Sequence, residues 1–179
     1  GKKGAFWYTL EEFHKHWDRI DVICPNVPGV TPAMLEATTG DAVVHENVHL
    51  HPSPYGMWYQ PLWICWRGQE LVAEHGHDVM TVHAYPPFHH VLGAQWLNEA
   101  TNVPYMPEVH GLVGYPKAAS LVDVVGRLMT RLMLPRIGRR ASAVRVINRS
   151  LKQQLVSWGV PAEKVEILPS FYWDRSIWT

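Results

Sequence analysis

The hydrophobic and polar positions of the chain follow two repeats. In some segments apolar residues return every three or four positions, as on one face of a helix. In others they form short runs or alternate with polar residues, as in strands. The helical repeat predicts helices over residues 6–17, 58–75, 88–102, 119–134 and 149–158. The shorter pattern predicts strands over residues 21–24, 47–51, 78–83, 104–110, 143–147 and 165–168.

Proline and glycine mark the ends of several predicted elements. Pro52 follows a strand, Gly76 and Gly159 follow helices, and Pro135 is predicted to end the helix that begins at Ala119. Residues 25–42 show little periodicity and are predicted to form a long loop. The repeated order of strand then helix, with short connections, predicts an α/β fold in three layers. A mostly parallel, Rossmann-like sheet would lie between two layers of helices.

Composition and charge narrow the class of protein. Hydrophobic residues make up 47% of the 179 positions and charged residues 18%, so a packed globular domain is expected rather than a disordered chain. The formal net charge is zero, which gives no bulk attraction to nucleic acid, and no nucleic-acid partner is expected. No apolar stretch approaches the length of a membrane span, and nothing at the start of the chain resembles a signal peptide.

The two cysteines give an indication of the cellular compartment in which the protein works. Cys24 falls on a predicted strand and Cys65 on a predicted helix. Two thiols in core-like settings favour a reducing, cytoplasmic environment, and a single buried disulfide stays open as the alternative.

Four segments carry a more specific pattern. The first is a glycine-containing loop followed by a helix and a strand, the next two are strands that end in histidine, and the last combines a strand, a helix and a second strand. They occupy Gly1 to Cys24, His77 to Pro86, Val103 to Gly111, and Ala141 to Pro169 with Asp174. In this order they resemble the N-terminal domain of the family-4 (group 1) retaining GT-B glycosyltransferases. The resemblance covers nearly the whole chain, and the last segment with its internal spacing is its most specific part.

The resemblance implies that residues 1–179 form one half of a GT-B fold, the acceptor-binding domain. It implies transfer of a sugar from a nucleotide-sugar donor to a glycan, lipid or small-molecule acceptor, with retention at the anomeric carbon. The donor-binding residues, including a pair of carboxylates, would belong to a C-terminal domain of the same protein, so this chain is expected to be inactive alone. No cofactor or metal is implied. Two alternatives stay open: a sugar-nucleotide epimerase of the same fold, and a non-catalytic binding module.

The resemblance also implies site residues. His110 matches the histidine with which the family's N-terminal domain reaches the reacting sugar, and Gly111 after it would allow a sharp exit from the strand. His83 and Tyr85 end the neighbouring strand and would face the same cleft, because ligands bind beyond the carboxyl ends of such sheets. Gly4 is placed where a glycine loop would approach phosphate. The alternatives are a histidine that only caps its strand and a surface loop around Gly4.

A basic helix stands out in a neutral chain. Residues 119–140 contain five arginines against Asp123: Arg127, Arg131, Arg136, Arg139 and Arg140. The other face of this helix is apolar, with Leu121, Val124, Val125, Leu128 and Leu132. A basic amphipathic helix can bind a membrane surface or a phosphorylated acceptor. Arg139 and Arg140 are therefore candidate substrate-binding residues, and the protein could be peripheral to the inner membrane face. The alternative is an ordinary covering helix whose arginines reach into solvent.

Pairs of histidines raise the question of a metal site. His14 and His16 would point apart on a helix, whereas His49 and His51 would share one face of a strand. No HExxH motif, CxxC pair or spaced carboxylate accompanies the pairs. The sequence therefore predicts no metal.

The first predicted element is a helix with no strand before it. A doubly wound domain normally begins with a strand that becomes central in its sheet. An additional apolar strand, preceding Gly1 in the expressed protein, is therefore expected, and the loop at Gly1 to Gly4 would join it.

Overall fold

The computed structural model describes residues 10–26, 43–44 and 46–169. These residues divide into two compact units, one ending at Trp63 and the other beginning at Ile64. The strands are β1 (Ile20–Cys24), β2 (Val43–Val44), β3 (Val48–Pro52), β4 (Met80–His83), β5 (Tyr105–Val109), β6 (Val144–Val146) and β7 (Val165–Ile167). The helices of more than three residues with defined bounds are α1 (Gln60–His75), α2 (His89–Thr101), α3 (Leu121–Arg140) and α4 (Arg149–Ser157). None of the described helices is long and apolar enough to cross a membrane.

The first unit contains a three-stranded sheet in the order β1-β3-β2. β1 pairs in parallel with β3, and β2 pairs with the other edge of β3 in the antiparallel sense. Leu10 and Val48 are buried together on one face of this sheet, with Ile20, Val22 and Leu50 packed against them. Strands alternate their side chains, so Asp21 lies on the other face. There its buried carboxylate is 2.6 Å from both Arg19 Nε and His51 Nε2.

The second unit contains a four-stranded parallel sheet in the order β4-β5-β6-β7. Its core is lined by buried side chains from the strands and from α2, α3 and α4, among them Val91, Tyr105, Ile137, Val146 and Leu155. The Tyr105 hydroxyl accepts a hydrogen bond from Gln95 Nε2 at 3.1 Å and donates one to the Ile137 carbonyl at 3.4 Å. This pairing satisfies the one polar atom that Tyr105 carries into the core.

The predicted α/β fold is confirmed, and each of the six strands predicted over residues 21–168 is present within one or two residues at each end. Pro107 lies inside β5, opposite Val82 of β4. Because proline has no N–H, Pro107 cannot donate a hydrogen bond to a neighbouring strand. The pairing of β5 with β6 accordingly begins only at Glu108. Of the first predicted helix, residues 10–13 are helical and continue as a 3-10 turn over His14–His16, while residues 6–9 lie outside the described part. β2 was not predicted, because two residues carry no periodicity.

Helix α3 departs from its prediction at its end. Its start is fixed by a capping box, in which the Ser120 hydroxyl accepts from the Asp123 N–H and the Asp123 carboxylate accepts from the Ser120 N–H. The predicted end at Pro135 is wrong, since the helix continues through this proline to Arg140. A proline inside a helix costs about 3 kcal/mol. Burial of Leu134, Pro135 and Ile137 offsets that cost.

Small residues determine which face of α3 packs against the core. Gly126, Thr130 and Gly138 are buried, and a Cβ at Gly126 or Gly138 would lie 2.7 Å from Val113 or 2.6 Å from Val160. The helix therefore approaches these valines more closely than a larger residue would permit. The apolar side chains that the sequence grouped on one face are exposed instead: Leu121, Val124, Val125, Leu128 and Leu132. α3 covers the sheet with its opposite face.

Candidate functional site

Two histidines meet at the carboxyl edge of the parallel sheet in the second unit. His83 is the last residue of β4, and His110 directly follows β5. β4 and β5 are parallel neighbours, so both strands end at the same edge. The Ala84 N–H donates to the Glu108 carbonyl at 3.0 Å and holds the two strand ends together. The imidazole rings stack with 5.0 Å between centroids and 22° between planes.

A carboxylate and a guanidinium complete this group. Glu108 Oε2 lies 3.1 Å from His110 Nε2 and 3.1 Å from Arg145 Nη1. Glu108 and Arg145 are register partners on β5 and β6, and Arg145 Nε also donates to the Leu168 carbonyl at 3.2 Å. The Glu108 side chain is 13% exposed, whereas that of His110 is 39% exposed. A carboxylate only accepts hydrogen bonds, so Nε2 of His110 carries the hydrogen in this contact.

A small depression opens beside the histidines. It measures about 90 Å³ and is lined by His83, Ala84, Tyr85, Glu108, His110 and Gly111. Ligand sites that enclose a whole small molecule measure about 300–1,000 Å³. This depression is therefore too small to enclose a whole small molecule. A wider, open depression of about 400 Å³ lies along α4 and beside β7, and its lining includes no histidine or carboxylate.

The structure brings together four of the predicted site residues, namely His83, Tyr85, His110 and Gly111. Tyr85 is largely exposed. Gly111 has no left-handed backbone, and a Cβ there would meet nothing within 4 Å. The expected sharp exit from β5 thus does not require glycine, although the space beside Gly111 opens onto the depression. Gly4 lies outside the described residues.

The two candidate arginines lie elsewhere. Arg139 and Arg140 end α3 just before β6 begins, so they lie at the amino edge of the parallel sheet, opposite His83 and His110. Arg139 Nη1 donates to the Gly159 carbonyl at 3.1 Å, and Arg140 Nη1 is 3.6 Å from Glu99 Oε1. Their binding of substrate stays a prediction, and it would take place away from the histidines.

Glu108 and Arg145 were not singled out in the sequence. The sequence does contain one indication that Glu108 lies near His110. The two residues are two positions apart, and a strand places such residues on the same face of the sheet. Arg145 carried no comparable signal, since its pairing with Glu108 depends on the register between β5 and β6. Cys24 and Cys65 are both free thiols, so the disulfide considered as an alternative is not formed.

The cluster also contains donors that suit a metal ion. Ligand atoms of His83, Glu108 and His110 all lie within 4.8 Å of one another, and among the described residues this is the group that brings three such donors together. Two imidazoles and a carboxylate are a donor set that zinc accepts. However, the Arg145 guanidinium already pairs with the carboxylate, so a divalent cation would have to bind beside a positive charge. We therefore base no function on a metal here.

His90 lies behind the cluster and has a lowered pKa. Its partial burial disfavours the charged ring, and the nearby His83 and His89 rings lower the pKa further. The unfolded chain therefore takes up this proton more readily than the folded chain does. Stability that is present at neutral pH is lost as the pH falls through the ordinary histidine value of about 6.5.

We expect the free energy of unfolding to decrease between pH 7.5 and pH 5.5, and we expect His90→Gln to reduce this dependence. Urea unfolding at a series of pH values measures both. His16→Gln, which changes an exposed histidine, serves as the control and should retain the parent dependence. An unchanged pH dependence in His90→Gln would contradict the assignment.

The family described as "Glycosyl transferase 4-like domain" matches residues 6–170, and the chain belongs to this family. The resemblance found in the sequence is thereby confirmed, as is the Rossmann-like α/β fold of one GT-B half. No curated protein sequence matches the chain.

Solved structures with a similar fold include two UDP-GlcNAc 2-epimerases. The Methanocaldococcus jannaschii enzyme is 11% identical, with a TM-score of 0.50 over 83% of this chain and 45% of that chain. The Neisseria meningitidis enzyme, bound to UDP-GlcNAc, is also 11% identical, with a TM-score of 0.47 over 83% of this chain and 45% of that chain. At this identity the likeness concerns the fold alone. The chain spans less than half the length of these proteins.

Proposed function

We propose that this chain is the acceptor-binding half of a GT-B glycosyltransferase. The full protein would transfer a sugar from a nucleotide-sugar donor to an acceptor, with retention at the anomeric carbon, in the cytoplasm. The donor would be held by a second domain of the same protein. The observation that carries the proposal is the stack of His83 and His110 at the carboxyl edge of the sheet, in a chain of the glycosyl transferase 4-like family.

The chemistry of glycosyl transfer explains why these groups suit the role. The transition state places positive charge on the anomeric centre while the nucleotide diphosphate leaves. A half-exposed imidazole at a strand end can hydrogen-bond a sugar hydroxyl and lie beside this charge. Glu108 fixes the ring through Nε2 and adds negative charge behind it, while Arg145 holds the carboxylate in place. His110 would thus be the catalytic residue and Glu108 a positioning residue.

The size of the depression supports a division of labour between two domains. About 90 Å³ admits one edge of a sugar but not a nucleotide sugar. The nucleotide must then bind outside this depression. No metal or organic cofactor is needed in this scheme, since the donor itself supplies the activated sugar.

The proposal is tested by incubating the full-length protein with UDP-, GDP- and ADP-sugars and a panel of glycan, lipid and small-molecule acceptors. We expect a product whose anomeric configuration, read by proton NMR, equals that of the donor. The epimerase alternative predicts inversion at C2 of a UDP-sugar without any acceptor. Epimerised nucleotide sugar, or an inverted glycoside, would contradict the proposal.

Glu108→Gln keeps the size of the side chain and removes its charge. Charge-assisted hydrogen bonds contribute about 1.5–3 kcal/mol, so we expect kcat to fall roughly 10- to 100-fold with a smaller change in KM for the acceptor. A positioning role predicts that the loss appears in kcat while the fold is retained, because the ring loses the partner that orients it. Steady-state kinetics on the full-length protein measures kcat and KM, and thermal unfolding checks the fold. Glu163→Gln, an exposed glutamate in the same unit, is the control and should behave as the parent.

An unaltered kcat for Glu108→Gln would argue for a purely structural contact with Arg145. In that case the thermal stability of the variant would fall while its kcat stayed the same.

A further inference from the structure

Helix α3 exposes a continuous apolar surface. Leu121, Val125, Leu128 and Leu132 follow one another at intervals of four, three and four residues, which places them in one stripe along the helix. The exposed fractions of these residues are 84%, 58%, 58% and 51%. Val122 and Val124 beside them are also exposed. Large apolar side chains exposed together mark a contact surface more often than chance.

Arginines surround this apolar stripe. At 3.6 residues per turn, Arg131 falls on one side of it, Arg136 on the other, and Arg139 continues its line toward the helix end. The helix carries five arginines and one aspartate, a net charge of plus four in a chain that is neutral overall. Arg131, Arg136, Arg139 and Arg140 are exposed along with the stripe.

Packing maintains this orientation of the helix. The opposite face is held against the core by the close approach of Gly126 to Val113 and of Gly138 to Val160. Turning the leucines inward would drive larger side chains into these contacts. The exposed stripe is therefore a consequence of tight packing on the other side, and the capping box at Ser120 keeps the first turn formed.

We propose that α3 binds the surface of an anionic lipid bilayer, with its apolar stripe in the interface and its arginines at the lipid phosphates. An apolar face bordered by basic residues on both sides matches the two attractions that hold interfacial helices. A second copy of the chain fits less well, because two such helices would bring four net positive charges on each side together. This surface is independent of the sugar-transfer chemistry proposed above.

Sedimentation with vesicles tests the surface without any enzymatic readout. We expect the full-length protein to bind vesicles of phosphatidylcholine mixed with phosphatidylglycerol, and to bind vesicles of phosphatidylcholine alone much more weakly. Added salt should weaken the binding, because exposed charges are screened. Far-UV circular dichroism of each variant checks that the fold is retained.

Substitutions in α3 distinguish the contribution of the apolar stripe from that of the arginines. We expect the double change Leu128→Ser and Leu132→Ser to weaken binding by more than about tenfold, and Arg131→Gln or Arg136→Gln to weaken it by about fivefold each. Val156→Ser and Arg149→Gln make the same changes at exposed positions of α4 and should leave binding unaltered.

Three results would overturn the proposal. They are equal binding to both kinds of vesicle, absence of binding to either, and binding that the α3 variants do not change. A dimer in solution that the same leucine variants dissolve, without lipid binding, would assign the apolar stripe to a second copy instead.

Discussion

Replacing His110 with alanine in the full-length protein is expected to lower kcat by about 10²–10³, which corresponds to about 2.7–4 kcal/mol in the barrier. KM for the acceptor should change much less. In the proposed function the imidazole lies where charge develops, so its interaction would be stronger in the transition state than with the bound substrate. The Glu108 contact keeps the ring in one orientation, which removes the need to reorganise it during the reaction.

The control for this variant is His75→Ala. His75 also has a carboxylate near its ring, with Glu74 Oε1 at 3.5 Å from Nε2, and a second imidazole, that of His77, at 6.2 Å between centroids. It therefore reproduces the composition of the site without its place at the carboxyl edge of the sheet. Steady-state kinetics should show parent values for His75→Ala. Near-parent kcat for His110→Ala would mean that His110 only caps its strand, and the proposed catalytic residue would be wrong.

The order of elements was predictable because buried parallel strands and covering helices leave strong periodic signals. Val144 to Val146 and Val165 to Ile167 are recognisable as strands because apolar residues alternate with a charged one in each. Element ends were less predictable. Pro135 is an ordinary helix stop in sequence, but the surrounding core supports the helix beyond it.

The orientation of α3 shows a limit of hydrophobic pattern. The strongest apolar stripe contains leucine and valine, whereas the buried face contains Gly126, Thr130 and Gly138. Close approach to Val113 and Val160 depends on the absence of a side chain, and a scale that rewards large apolar residues gives glycine no weight. The hydrophobic pattern therefore does not show which face of α3 packs against the core.

The candidate site was predictable in part for a related reason. His83 and His110 each end a strand, and parallel strands bring such ends together. The link from Glu108 to Arg145 joins two different strands, and only their register reveals it. Local sequence thus indicates which residues reach an edge of the sheet, while the contacts between them require the fold.

The 179-residue chain by itself is expected to show no turnover of UDP-, GDP- or ADP-sugars, whereas the full-length protein should. The depression beside His110 is too small for a nucleotide sugar, and in the function proposed above the donor is held by a second domain. In that scheme the isolated chain provides neither donor binding nor electrostatic stabilisation of the leaving group, so the expected loss of activity is complete rather than partial.

The measurement is release of labelled sugar or nucleotide by the isolated chain and by the full-length protein, side by side with the same acceptors. Circular dichroism and thermal unfolding of the isolated chain must first show that it is folded, because an unfolded chain would be inactive for another reason. Weak acceptor binding by the folded chain, without turnover, is the result that the division of labour predicts. Turnover by the isolated chain at the rate of the full-length protein would place donor binding within these 179 residues and contradict that division.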